Sequence, residues 1–258
     1  MSDAPLTVAA VAAALGGMAR RFDVDVLAEC ASTSIELMRR AESGAPGGTV
    51  VVAERQTAGR GRMGRSWISA PGASLTFSLL WRFAPGTMPY GLSLAVGVAL
   101  AEALEGMGVS GLTLKWPNDV LREGRKLAGV LVELAPGATN VVVIGIGINL
   151  RLPEDMPEDV RANAAALDTG IARDALLARL LCSLHDVLTE FGRDGFFALR
   201  QRWLARCAHI DSAVRILSEF GPPLVGRCIG VDVDGALQVE TGACIQRILS
   251  GEVSLRPA

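Results

Sequence analysis

The stretch GRGRMGRSW at 59–67 sets Gly59, Gly61 and Gly64 among Arg60, Arg62 and Arg65 and ends on Trp67. Like charges two and three residues apart repel, and glycine weakens any helix or strand that contains it. Packing alone does not ask for such a stretch. Glycines let backbone N–H groups approach an anion closely, and guanidinium forks bind phosphate or carboxylate oxygens in pairs. The pattern is not a P-loop, which needs GxxxxGK[ST] running into a helix, and its GxGxxG spelling does not lie between a strand and a helix. Taken alone, it reads equally as an exposed turn with solvated arginines.

Three further stretches carry residues suited to chemistry. In KWPND (115–119), Pro117 interrupts ladder pairing and aims Asn118 and Asp119 away from the sheet. In GRKLAGVLVE (124–133), Lys126 stands at the mouth of an apolar strand, and Gly129 leaves room for a ligand against the backbone. In VVVIGIGINL (141–150), Gly145, Gly147 and Asn149 share one strand face, which a flat ligand or a packed helix would fill. Each has a plainer alternative: turn formers, a snorkelling lysine, and helix packing.

These residues need elements to hold them. The spacing predicts a helix over about 6–19 that stops near Gly16–Gly17 or shortly after, a strand over 22–30, and a helix beginning after Ser32 and Thr33. A strand follows at 48–56. SWISA and SLTFSLLW are expected to form a hairpin around the PGA turn at 71–73. A helix covers 91–108, closed by glycines. Strands follow at 112–117, 126–134 and 141–150, the first two joined by NDVLREGR. A loop is expected over 153–170 and helices over 173–190 and 193–207. Beyond 211 the chain has short β runs and the turn signal DVDG at 232–235, which suggests a small barrel or curled sheet. The reading is an α+β fold: a body (1–210) with a central mixed or antiparallel β-sheet and flanking helices, and a small C-terminal β-barrel module (211–258).

The chain has 258 residues, half of them hydrophobic, and a net charge of −2. That balance argues against a general nucleic-acid surface, so the arginine cluster is local. The apolar run at 6–15 is too short to cross a bilayer. No nucleic-acid or membrane partner is expected. The five cysteines are scattered and form no CxxC pair, which fits reduced thiols in a cytoplasm better than zinc or disulfides. His185 and His209, the two histidines, both read as structural, and no metal site is predicted.

In this order, GRGRxGRxW, KWPNDV, RKLAGVLVE and IGIGINL resemble the biotin protein ligases in content and spacing. The likeness reaches upstream to STS (32–34) and ERQ (54–56), and downstream to DGAL (234–237) and SGEVSLR (250–256). The resemblance implies the biotin/lipoate ligase catalytic fold, related to class II aminoacyl-tRNA synthetases. It also implies a two-step reaction, in which biotin attacks the α-phosphorus of ATP and an acceptor lysine then attacks biotinyl-5′-AMP. It assigns catalysis to Lys126, Arg60, Arg62 and Asp119. Biotin would meet Ser32, Thr33, Ser34, Gln56, Arg60, Gly61, Arg62, Trp67, Lys126, Gly129 and Leu131. ATP, with Mg²⁺ as its companion, would meet Arg60, Arg62, Arg65, Asn118, Lys126, Gly145, Gly147 and Asn149. Glu252 and Arg256 would assist ATP or acceptor binding.

The chain departs from many relatives at Ser34, where they carry asparagine, and at Met63, where they carry a further arginine. Only about 30 residues precede STS, so the type without a DNA-binding domain is expected. The implied partner is a biotin carboxyl carrier protein, in bacteria usually that of acetyl-CoA carboxylase, and the implied state is a monomer or homodimer. Two alternatives stand beside this reading: a lipoate or octanoate ligase or transferase of the same fold, and a catalytically silent biotin sensor.

Overall fold

Val50, Val51 and Val52 show how the chain builds its sheet. Successive strand side chains point to opposite faces, so three consecutive buried valines require both faces to be covered. Val50 and Val52 lie in a large core, and Val51 lies in a smaller one with Leu37, Ala41, Leu80 and Val143. The computed structural model describes residues 5–218, 221–242, 244–249 and 253–257.

The body contains strands β1 (Asp23–Cys30), β2 (Thr49–Gln56), β3 (Ser74–Arg82), β4 (Leu112–Lys115), β5 (Asp119–Arg122), β6 (Arg125–Leu134) and β7 (Val141–Asn149). They form one mixed sheet in the order β1-β2-β3-β7-β6-β5-β4. Only β1 and β2 pair in parallel, because helix α2 (Thr33–Glu42) carries the chain back between them. The small core lies under α2. The large core lies on the opposite face, beneath α1 (Val8–Leu15), α3 (Leu92–Glu105), α5 (Arg173–Asp194) and α6 (Phe196–Leu204).

In β7, Val142, Ile144, Ile146 and Ile148 enter the large core. Val141 and Val143 enter the small one. Their face continues through Gly145, Gly147 and Asn149, which are paired across β6 and β3: Gly129↔Gly147↔Thr76 and Leu131↔Gly145↔Ser78. The small core thus runs out along this face into a bare, glycine-lined floor.

The C-terminal module is an antiparallel sheet of β8 (Ala213–Ser218), β9 (Gly221–Val231), β10 (Leu237–Glu240), β11 (Ile245–Ile248) and β12 (Val253–Pro257). Its order is β11-β10-β9-β8-β12. The expected DVDG turn joins β9 to β10, with Gly235 at φ +84° and its N–H donated to Asp232 O. Val214, Ile216, Cys228, Val231, Leu237, Val239 and Leu255 belong to the body's large core, so the packing is continuous. Trp116 Nε1 donates to Gly235 O at 3.1 Å across the same boundary.

Three expectations need correction. SWISA forms no strand; the arginine stretch folds on itself instead, with an Arg60–Ser66 bridge and Trp67 N–H donated to Gly59 O. Trp67 and Ile68 both line a cavity, so their apolar groups serve packing rather than a ladder. NDVLREGR contains β5, closed by a turn at Glu123 and Gly124, both at positive φ. The 153–170 loop contains a short helix α4 (Glu158–Ala162). The first helix stops at Leu15, beside Gly16 as expected, and a 3-10 turn takes over through Arg21.

Glu54 ties the layers together. It accepts from Leu6 N at 3.0 Å and from Arg173 Nη2 at 2.7 Å, and Arg173 is 5% exposed. Removing one partner of a buried pair leaves a stranded charge. Glu54→Ala is therefore expected to destabilise the fold by about 3 kcal/mol, read from its urea unfolding curve.

Candidate active site

The bare floor opens into a cavity of about 610 Å³. Every site residue named from the sequence between Ser32 and Asn149 lies on its wall, as does Arg256. Glu252 lies outside the described residues.

The N-terminus of α2 supplies one polar wall. Gln56 Oε1 accepts from Thr33 N at 2.8 Å and from Thr33 Oγ1 at 3.2 Å. Ser78 Oγ donates to Thr33 Oγ1 at 2.8 Å and shares a 3.0 Å hydrogen bond with Ser34 Oγ. Gly145 is required beneath it, since a Cβ there would lie 2.5 Å from Ser34 Oγ. Trp67 occupies the next position along the floor, where a Cβ on Gly147 would come within 2.3 Å of the indole. Ser34 and Trp67 therefore meet the glycine face. Trp67 Nε1 is buried without a hydrogen-bond partner among the described residues.

Lys126 stands at the centre. Its Nζ is 2.7 Å from Asp119 Oδ1, in an ion pair that lacks hydrogen-bond alignment, and 5.7 Å from the centre of the Trp67 ring. Its backbone is clamped on two sides: its N–H donates to Asn163 O, and its C=O accepts from Ala165 N, both at 2.8 Å. Asn149 Nδ2 donates to Lys126 O and Ala165 O at 3.2 and 3.0 Å. Asn118 Nδ2 donates to Val130 O at 2.7 Å. Both asparagine amides thus hold strands in place while lining the cavity.

Positive charge converges around this lysine. Burial first, then the charge of Arg65, lowers the Arg62 pKa, and Asp119 opposes them. Burial also lowers Lys115; Asp119 opposes, while Arg256, Lys126 and Arg65 push in the same direction as burial. Cations crowded enough to disfavour one another's charge form a site for an anion. Arg60 lies at the edge, with Nη2 2.9 and 3.0 Å from the two carboxylate oxygens of Glu133. Among the described residues no group of three or more His, Cys, Asp or Glu is placed to hold a metal ion.

Several wall residues were not singled out from the sequence. Lys115 of KWPND, at the end of its strand, is one of them. Ser78, buried behind the wall and bonded to Thr33 and Ser34, gives no signal beyond a small polar residue in a strand. The two histidines, both read as structural, differ in place. His185 does pack edge-on against Phe22 and Trp81, but His209 joins the cavity wall. The reason is a long-range pairing: Leu114 N donates to Arg206 O and Ala208 N to Leu114 O, which lays the 206–208 connector along β4.

Two family descriptions match the chain: the Biotin/lipoate A/B protein ligase family over residues 28–149, and the Biotin protein ligase C terminal domain over residues 209–256. The biotin--[acetyl-CoA-carboxylase] ligase of Mycobacterium tuberculosis is 36% identical over 240 residues, covering 89% of this chain and 88% of that one. The chain belongs to the biotin protein ligases. The bifunctional ligase/repressor BirA of Salmonella typhimurium is 37% identical over 217 residues, 82% of this chain and 68% of its own length. The solved biotin protein ligase from Aquifex aeolicus in complex with biotin and ATP superposes with a TM-score of 0.81 at 32% identity, covering 92% of this chain and 99% of that one. The mixed sheet, flanking helices and separate antiparallel C-terminal sheet are thus the ligase architecture.

Burial, and secondly the charge of Lys115, pulls the His209 pKa below its ordinary value. The unfolded chain therefore takes up that proton first as pH falls. The stability contributed by the neutral ring is complete above about pH 6.5 and is lost below it. Urea midpoints measured from about pH 7.5 to about pH 5.5 are expected to fall less steeply in His209→Gln than in the parent protein.

Proposed function

We propose that this ligase makes biotinyl-5′-AMP from biotin and ATP in the 610 Å³ cavity and passes the biotinyl group to a lysine of a biotin carboxyl carrier protein. In the first step a biotin carboxylate oxygen attacks the α-phosphorus, and the bond to pyrophosphate breaks. In the second the acceptor amine attacks the biotinyl carbonyl carbon; AMP leaves and the amine gives up its proton. The observation that carries the reading is the Lys126 ammonium, held 2.7 Å from Asp119 over a floor of paired glycines.

The first step brings two anions together. At 4 Å, with an effective dielectric near 20, their repulsion is about 4 kcal/mol. Lys126 is proposed to neutralise both, touching the carboxylate and the α-phosphate. Arg60, Arg62 and Arg65 add donors from the loop above, and Lys115 and Arg256 extend the positive wall for the remaining phosphates. Once Lys126 turns to its ligands, Asp119 is free to orient the acceptor amine and receive its proton. Mg²⁺ is proposed to enter with ATP, held by phosphate oxygens rather than by an all-protein cage.

Biotin is proposed to lie along Gly129 and Leu131, its ureido group facing Ser32, Thr33, Ser34 and Gln56. The Trp67 indole already covers Gly147, so the nucleotide is proposed to meet that ring rather than the strand itself. Closure of Gly61 and its loop keeps water from the mixed anhydride. We propose residues 1–210 as the catalytic domain and 211–258 as a module that delivers Arg256 to it. The free thiols of all five cysteines support a cytoplasmic setting, and a monomer or homodimer is the proposed state.

ATP–pyrophosphate exchange is expected to depend on biotin and not on lipoate. Lys126→Ala is expected to lower that exchange by at least about 100-fold, the scale for losing a preorganised charge donor. Streptavidin blotting of a carrier domain incubated with biotin and ATP should show labelling by the parent protein; a silent sensor would give none.

A further inference from the structure

The arginine loop leaves the sheet at the end of β2, yet the Arg60 guanidinium ends on Glu133 of β6. In the sheet order β3 and β7 lie between those two strands. Three strand spacings amount to about 14 Å. Arg60 thus crosses the face that carries the Gly129↔Gly147 and Leu131↔Gly145 pairs. Glu133 points to the same face as Gly129 and Leu131, two residues beyond Leu131, and pairs with Val143 where the floor gives way to the small core. A ligand lying on the glycines is therefore beneath a strap whose far end is an ion pair.

We propose that Glu133 is a positioning residue that latches the arginine loop over the bound ligand. It touches no reacting atom. Both of its carboxylate oxygens receive Arg60 Nη2, which leaves Nε and Nη1 of Arg60 as donors for the ligand. The loop's hydrogen bonds from Gly61 N to Arg65 O and from Trp67 N to Gly59 O join it only to itself, so they do not hold it to β6. The carboxylate also offsets repulsion within a stretch that carries Arg60, Arg62 and Arg65. The side chains of the pair are 43% and 28% exposed, a setting in which an ion pair is weak and sensitive to salt. Such a strength suits a latch that must open each time biotin enters and product leaves.

The inference rests on the cavity being the biotin and ATP site, and its test separates the two. The full-length protein is loaded with radiolabelled biotin and ATP without acceptor, and release of biotinyl-5′-AMP is followed after a chase with unlabelled biotin. Glu133→Ala is expected to speed release about two- to five-fold at low salt, the range for an exposed pair. Glu133→Gln should lie between it and the parent. Raising the salt to about 1 M should bring the parent up to the rate of the alanine variant. The single-turnover rate of adenylate formation should stay within about two-fold, because Lys126 and Arg62 are untouched. Equal release by the parent and both variants at every salt concentration would overturn the latch alone. Absence of any biotin-dependent adenylate in the parent would overturn the site assignment and the latch with it.

Discussion

A cation that is to bring two anions together must be held in place before either arrives. Lys126 meets that requirement through its backbone more than its side chain. Partners on the 163–165 segment and on Asn149 fix its peptide groups, so the head of β6 cannot drift. The ammonium then has a temporary counter-ion in Asp119, placed by the β5–β6 pairing. The sheet, the connector and the loops supply the surroundings in which this charge stays available.

The sheet's two cores explain where the site lies. On one face the helices α1, α3, α5 and α6 give a continuous packed layer. On the other, α2 is short and covers only part of the strands. Where its cover ends, the strands turn from valine to glycine, and the exposed floor is roofed by a loop instead of a helix. Loops can open and helices packed by a core rarely do, so the division between the two covers is also a division between permanent and exchangeable contacts.

The parts of this arrangement that depend on short-range rules were readable from the chain. Strand alternation placed Gly145, Gly147 and Asn149 together, and a lysine before LAGVLV marked the end of a buried strand. The parts set by long-range contacts were not. Glu133 reads as a strand-end carboxylate until Arg60, 73 residues away, is seen on it. His209 reads as a helix-end residue until the connector pairs with β4. The expected SWISA strand failed for the opposite reason. Its apolar residues were real, but Trp67 and Ile68 found their surroundings in the cavity rather than in a ladder.

The alternation in β7 has a consequence for how this protein tolerates change. The isoleucines that fill the large core and the glycines that floor the cavity interleave residue by residue on a single strand. Shifting the pairing by one position would drive Ile146 into the ligand space and leave glycine-sized holes among the helices. An insertion or deletion there would damage solubility and catalysis in one stroke, whereas a change in length at a flanking turn, such as the one at 136–140, leaves the register intact.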